Sequence, residues 1–336
     1  MIDKVKTIGD LALFLSLSVQ KLQAINPEEH YLTFQIPKPG KTEKRTIETP
    51  NGPLKPILAR ICDSLQWLYS QHKTDAAYGF IRSGGHDADK RNIFTNAAHH
   101  LGKKYLLNID LDNFFYQVDI PKVANLFGDY RMFSFDTETE KMMTKLVVYR
   151  DRLPMGSPTS PPLSNFATIG LDHELLAWAH RSGFVYTRYV DDLSFSSNMA
   201  ISQSHFNQIT EILQSHRFVA DPGKIKWFGK NDIKEVTGLV IGEKISVPDD
   251  FIRDFEKDLD NFRNVFVYAH AYPDHHVLDW IEKLGQVIHG RLAFLQMVYG
   301  KEHPVYRKLK NAFDAISPEQ EMEYSMSWRY AGYDHF

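Results

Sequence analysis

Three aspartates suggest a chemistry. Asp191 and Asp192 stand side by side in "RYVDDLSFSS", residues 188 to 197, and Asp110 closes the apolar run "KYLLNID". Adjacent carboxylates drawn partly out of water repel each other and lose hydration, so they call for a compensating positive charge. Magnesium is the simplest candidate. It is hard, prefers oxygen, and takes one or two carboxylates while keeping positions for phosphate oxygens and water. Two such ions about 3.5–4 Å apart activate an attacking hydroxyl and stabilise a leaving oxygen, which is phosphoryl or nucleotidyl transfer. An Asp-Asp pair in isolation is more often a solvated turn, and neighbouring side chains on a strand point to opposite faces. Asp191 is therefore expected as the ligand, with Asp192 beside the attacking hydroxyl. Nearby, "NIDLDNFF" adds Asp112, Phe114 and Phe115, and "PMGSPTSP" offers backbone N–H groups and hydroxyls where a nucleotide could lie.

The elements that would carry these residues are legible. Residues 104–111 read as a buried strand ending at Asp110. Residues 185–197 read as strand, tight turn, strand. A Pro/Gly/Ser loop at 153–165 leads into a helix through about Ala179. Upstream, one or two short helices are expected over 7–25. A strand follows at Tyr31–Ile36, then a turn-rich "PKPGKTEK", a return strand "RTIE", and a helix over Pro56–Tyr69. "EVTGLVIGEKISV" reads as a hairpin turning near Gly242 and Glu243. After Pro248 the pattern becomes helical to about residue 316, with Phe251, Phe255, Leu259, Phe262 and Phe266 on one stripe.

The chain has 336 residues, 43% hydrophobic and 24% charged, which excludes a largely disordered protein. A net charge of −3 does not advertise nucleic acid, so any such partner requires local basic patches. One patch is Lys38, Lys41, Lys44, Arg45, Lys55 and Arg60. Another is Arg291, Lys301, Arg307, Lys308 and Lys310, with Tyr299 and Tyr306 interleaved, a surface suited to an RNA hairpin. A single cysteine, Cys62, excludes an intramolecular disulfide or a multi-cysteine zinc site and fits a reducing, cytoplasmic setting. The apolar run Leu11–Val19 is too short to span a bilayer and lacks a cleavage pattern, so no membrane role is expected. His270, His275 and His276 cluster without regular ligand spacing, and a zinc site there is disfavoured.

In their order and spacing, "NIDLDNFF", "LPMGSPTSPPLSN", "RYVDD", the lysine of "DPGKIKWF" and "VTGLVI" resemble the palm of reverse transcriptases, and "RTIETPNGPLK" resembles the fingers of bacterial members. Asn96 to His100, of the form Asn-Ala-x-x-His, and the triplet Val236-Thr237-Gly238 together resemble the signature of retron reverse transcriptases. The resemblance covers roughly residues 30 to 310. It implies an α+β right-hand polymerase: N-terminal helices and fingers at 1–104, a palm at 105–247 with a helical insertion at about 121–150, and a helical thumb and tail at 248–336.

It further implies that Asp110, Asp191 and the Leu111 carbonyl hold two magnesium ions with Asp192 completing the set. Phe115 would exclude ribonucleotides. Lys224 and Arg45 would approach the triphosphate, and Gly156 would let the backbone approach the nucleotide. Many relatives carry Gln where this chain has Met155. For retron enzymes the implied partners are dNTPs and a structured noncoding RNA, contacted by Asn96, His100, Val236, Thr237 and Gly238. The implied product is branched msDNA primed from a 2′-hydroxyl. An effector protein encoded nearby, host ribonuclease H and a role in phage defence complete the expectation. The competing readings are another bacterial reverse transcriptase, intron-encoded or of the abortive-infection type, and a non-catalytic RNA-binding scaffold.

Overall fold

A computed structural model describes residues 1–37, 42–82, 89–271 and 275–316, with side chains at 269–279 excepted. Lys38, Lys41, the histidine cluster at 270–276 and the aromatic tail lie outside the described residues or side chains.

In chain order, α1 (Ile8–Phe14) opens on a capping box between Thr7 and Asp10, and α2 (Val19–Ala24) is capped by Ser18. Strands β1 (Tyr31–Pro37) and β2 (Lys44–Pro50) pair antiparallel. Helix α3 (Leu54–His72) buries Leu54, Ile57, Leu58, Ile61, Leu65 and Leu68, the stripe its spacing foretells. Next come α4 (Ile93–Ala98), β3 (Tyr105–Asp110), α5 (Ile120–Phe127) and α6 (Thr137–Val147), the last two capped by Asp119 and Asp136. The expected helix after the Pro/Gly/Ser loop is two helices, α7 (Ser160–Ala167) and α8 (Ile169–Ser182), broken at Thr168, whose hydroxyl bonds back to the Ser164 and Asn165 carbonyls. There follow β4 (Val185–Tyr189), β5 (Asp192–Ser197), α9 (Gln203–Ser215) and β6 (Lys226–Phe228). The chain continues through β7 (Lys234–Val236), β8 (Leu239–Ile241), β9 (Ile245–Ser246), α10 (Asp249–Ala271), α11 (His275–Tyr299) and α12 (Pro304–Asp314).

The chain divides into two compact units. The first holds residues 1–92 and 103–230. Its centre is an antiparallel four-stranded sheet in the order β4-β5-β3-β6. Leu107 and Ile109 of β3 and Leu193 and Phe195 of β5 enter a core shared with Phe166, Leu171, Leu175, Leu213 and Phe218. The alternate residues Asn108, Asp110, Asp192 and Ser194 occupy the other face, where Ser194 donates to the Asn108 amide oxygen at 3.1 Å.

The second unit holds 93–102 and the described residues from 231 onward. Its antiparallel sheet runs β7-β8-β9. The expected hairpin is a three-stranded meander, with a further turn at Thr237 and Gly238, both at positive φ as a two-residue hairpin loop requires. Pro248 marks the change from strand to helix, while the longer stretch of the unit begins at Asn231. The reason is packing: the meander lies against α4 and α11, and the Val247 N–H donates to the Tyr299 hydroxyl at 3.2 Å. No helix among the described residues is long and apolar enough to cross a membrane.

Arg188 of β4 is only 1% exposed and forms a bidentate pair with fully buried Asp172 of α8, Nε to Oδ1 and Nη2 to Oδ2, both at 2.8 Å. The Thr74 and Tyr186 hydroxyls donate to the same carboxylate at 2.8 and 3.0 Å. Removing one partner of a buried pair strands the other charge at a cost of about 3–5 kcal/mol, whereas replacing both with apolar groups is often near neutral. Asp172→Asn should therefore lower unfolding stability in denaturant titrations by that order. The double variant Arg188→Met with Asp172→Leu should recover much of the loss.

Candidate active site

Antiparallel register places Asp110 of β3 opposite Asp192 of β5, so their side chains share one face of the sheet. Asp191 belongs to the two-residue loop between β4 and β5 and escapes the strand alternation that would have sent it to the far side. One carboxylate oxygen from each of Asp110, Asp191 and Asp192 lies within 4.8 Å of the others. An all-oxygen, all-anionic set of this spacing suits a hard divalent cation.

The loop that delivers Asp191 is strained. Val190 sits at φ +61°, an outlier for a β-branched residue. Its surroundings hold it there. The Leu111 N–H donates to the Asp191 carbonyl at 3.0 Å, and Arg188 Nη1 donates to the Val190 carbonyl at 3.0 Å and to Asn165 Oδ1 at 3.1 Å. From the other side Gly79 closes on the loop. A Cβ at Gly79 would lie 2.6 Å from Val190 Cγ2 and 2.7 Å from Val190 N, so only glycine fits.

Electrostatics follow from this crowding. Burial first, then the Asp110 charge, raises the Asp191 carboxyl above its ordinary value, with Lys224 and Arg45 opposing. Removal from water, then Asp191 and Asp110, push Asp192 up to about 7. Asp192 keeps solvent-exposed surface, which tempers the part due to burial; the like-charge neighbours are specific to this site. The compensating cation built into the chain is Lys224, whose ammonium bonds Asp110 Oδ1 and lies 3.5 Å from Asp221 Oδ2. Although burial disfavours its charge, these carboxylates hold the Lys224 pKa above the usual lysine value.

Within the same unit, a cavity of about 410 Å³ is lined by Thr49, Lys55, Phe80, Phe115, Gly156 and Ser157, among others. Phe115 and Phe80 both contribute to its lining. Gly156 lines the cavity, but its missing Cβ is explained by the protein itself: at φ +123°, a Cβ would sit 2.9 Å from Ile47 Cγ2 and 3.0 Å from the Glu48 carbonyl. Met155 is likewise engaged, its carbonyl accepting from the Glu48 N–H at 2.7 Å. Buried Glu48 locks this loop to β2 through two bonds from Arg152, at 2.7 and 2.9 Å.

Other sequence-derived candidates fall in the second unit. Asn96 and His100 are each 1% exposed and Val236 is fully buried. Within that unit α4 packs on β7 and β8, and Thr237 Oγ1 donates to the Ile93 carbonyl at 3.4 Å, so both motifs help assemble one small unit. Gly238 remains exposed. Tyr306 is buried and Tyr299 stacks on His303 at 4.2 Å, which removes the first from the interleaved surface and commits the second to packing. Arg291 pairs with Asp258 and lies over Phe251, Arg307 pairs with Glu302, and Lys308 pairs with Glu256 at 2.7 Å. Arg307 and Lys308 stay largely exposed.

The residues missed by sequence reasoning are Arg188, Asp172, Asn165, Phe80 and the Glu48–Arg152 pair. A signal existed for one of them: an arginine inside the apolar strand "VYTRYV" requires a buried acid.

The reverse transcriptase (RNA-dependent DNA polymerase) family matches residues 36–241. Retron Ec86 reverse transcriptase of Escherichia coli is 29% identical over 249 residues, 71% of this chain and 73% of that protein. Retron Mx162 reverse transcriptase of Myxococcus xanthus is 30% identical over 292 residues, 75% of this chain and 58% of that longer protein. Among solved structures, telomerase from Candida albicans with a fragment of telomeric RNA aligns at TM-score 0.48 and 11% identity, covering 85% of this chain and 63% of that chain.

The raised Asp192 carboxyl sets a pH dependence. It is neutral in both folded and unfolded chains well below pH 4 and charged in both well above 7. Its repulsion therefore destabilises the native state progressively as pH rises from the unfolded value of 3.8 to about 7, and fully above that. In chelator, Asp192→Asn should raise the melting temperature relative to the parent at pH 8, with the gap closing towards pH 4.

Proposed function

The chain belongs to the reverse transcriptase family as an RNA-directed DNA polymerase of the retron type, and from that premise we propose that it copies a cognate structured noncoding RNA into branched msDNA. The single observation that carries the catalytic part is the convergence of the Asp110, Asp191 and Asp192 carboxylates within 4.8 Å.

In this reading residues 1–104 form the fingers with the N-terminal helices, 105–247 the palm and 248–336 the thumb and tail. Asp110, Asp191, Asp192 and the Leu111 carbonyl would hold two magnesium ions, which when bound supply activation of the primer hydroxyl and neutralisation of the triphosphate. Lys224, already reaching the carboxylates, lies where it could turn to the leaving phosphate and give it a proton. Arg45 is near enough for its charge to act on Asp191, which suits it to the triphosphate. Phe115 faces the cavity as the group that meets a ribose 2′-hydroxyl. Arg291, Arg307 and Lys308 contribute charge for gripping RNA, and Asn96, His100, Val236, Thr237 and Gly238 belong to the segments that recognise the cognate RNA. The enzyme works in the cytoplasm with dNTPs, relies on host ribonuclease H for template removal, and serves phage defence with an effector encoded nearby.

With the native RNA, dNTPs and magnesium, the parent should extend from a 2′-hydroxyl and leave a 2′–5′ branch, and Asp191→Asn with Asp192→Asn should reduce extension to background. A double variant extending as well as the parent removes the catalytic assignment; linear DNA alone from the native locus favours an intron-type or abortive-infection enzyme. For the RNA surface, Arg307→Ala with Lys308→Ala should weaken binding of the cognate RNA and reduce the slope of log affinity against log salt by about one for each phosphate left without its cation. Unchanged affinity and slope exclude both residues from the interface.

A further inference from the structure

Phe80 adopts a backbone that aromatic residues seldom take, with φ at +58°. The segment is clamped on both sides. The Tyr78 N–H donates to the Arg188 carbonyl at 2.8 Å, and the Asn165 side-chain amide donates to the Gly79 carbonyl at 3.0 Å. Gly79 itself is pressed against Val190, as its missing Cβ attests. The product of this arrangement is a placed ring. Phe80 lies near-parallel to Phe115, centroids 5.9 Å apart and planes at 21°, and both rings line the same cavity. On another side Phe115 meets Phe114 at 5.8 Å, and Phe114 is buried beside Phe218. Phe115 therefore has core behind it through Phe114 and a second ring, Phe80, at the cavity wall.

An apolar group rejects an added hydroxyl only weakly if it can retreat, so selectivity against a ribose depends on what stops the rejecting ring from moving. We propose that Phe80 is a specificity-determining residue of the nucleotide site: it holds Phe115 at the height that excludes a 2′-hydroxyl. Asn165 is a positioning residue in this scheme. Its amide nitrogen holds the Gly79 carbonyl, and its oxygen accepts from Arg188, which also holds the Val190 carbonyl. One buried side chain thus ties the segment bearing the second ring to the loop bearing Asp191. The proposal rests on the reading of Phe115 as the group that meets the sugar.

The test compares kcat/KM for dNTP and for the matching rNTP, using the full chain on a fixed primer–template. Phe80→Ala should reduce the dNTP-to-rNTP ratio by about tenfold, the scale set by small shape changes in an apolar pocket. The change should appear chiefly as a lower KM for rNTP. Phe80→Tyr should keep the parental ratio, and Phe80→Leu carries the measurement should the alanine variant not fold. Phe115→Ala serves as the reference. If it changes the ratio while Phe80→Ala and Phe80→Leu do not, or if these lower both substrates equally, the role of Phe80 is overturned and the reading of Phe115 stands. If Phe115→Ala leaves the ratio intact, the reading of Phe115 fails and this proposal fails with it.

Discussion

Three carboxylates must be held together against their own repulsion, and much of the first unit can be understood as the means. A sheet alone supplies two of them, because Asp110 and Asp192 are register partners. The third arrives only if the two-residue loop after β4 takes a shape that a valine resists. That shape is over-determined from within the protein: Arg188 anchors the loop carbonyl while its own charge is met by Asp172, and Gly79 leaves no room for relaxation. The buried ion pair is a poor source of net stability compared with apolar packing. Its value lies in geometry, since a guanidinium with fixed forks can hold a carbonyl, an amide and a carboxylate at once.

Backbone bonding likewise fixes the loop that carries Gly156. Strand β2 docks on the loop at 153–157 through the Glu48–Met155 backbone bond and the Glu48–Arg152 pair, and Gly156 permits the approach. Met155, where the resemblance to reverse transcriptases leads one to expect an amide side chain, contributes its carbonyl to this joint. The joint uses only backbone atoms of residue 155, so it is compatible with a methionine there.

What could be read from the sequence was local. Strand alternation, the tight turn within residues 185–197 and the α3 stripe all depend on neighbours within a few residues, and they stand in the structure. What could not be read was long-range. Nothing near Asp172 announces Arg188, and nothing near Phe80 announces Phe115, because those contacts close loops that periodicity does not encode. The break at Thr168 escaped notice since a threonine hydroxyl can serve either a helix or its interruption. Burial of Asn96, His100 and Tyr306 escaped for a related reason: a polar or amphipathic residue in a motif invites a reading of contact, while the meander and helix packing that cover it are set elsewhere in the chain.

Net charge gives the last piece of physical argument. At −3, the chain has no surplus of positive field to draw in RNA from a distance. Two exposed cations of the second unit are already answered by acids, Arg307 by Glu302 and Lys308 by Glu256. A phosphate approaching them must displace a carboxylate. Exposed pairs are weak, on the order of 0–1 kcal/mol, so the exchange is inexpensive, but it returns little unless several phosphates engage together. On the proposed RNA surface random polyanions would thereby be disfavoured, and an RNA whose shape matched it would gain several exchanges at once. Selectivity for a folded RNA can thus arise in an acidic protein from local pairing, without a strongly basic face.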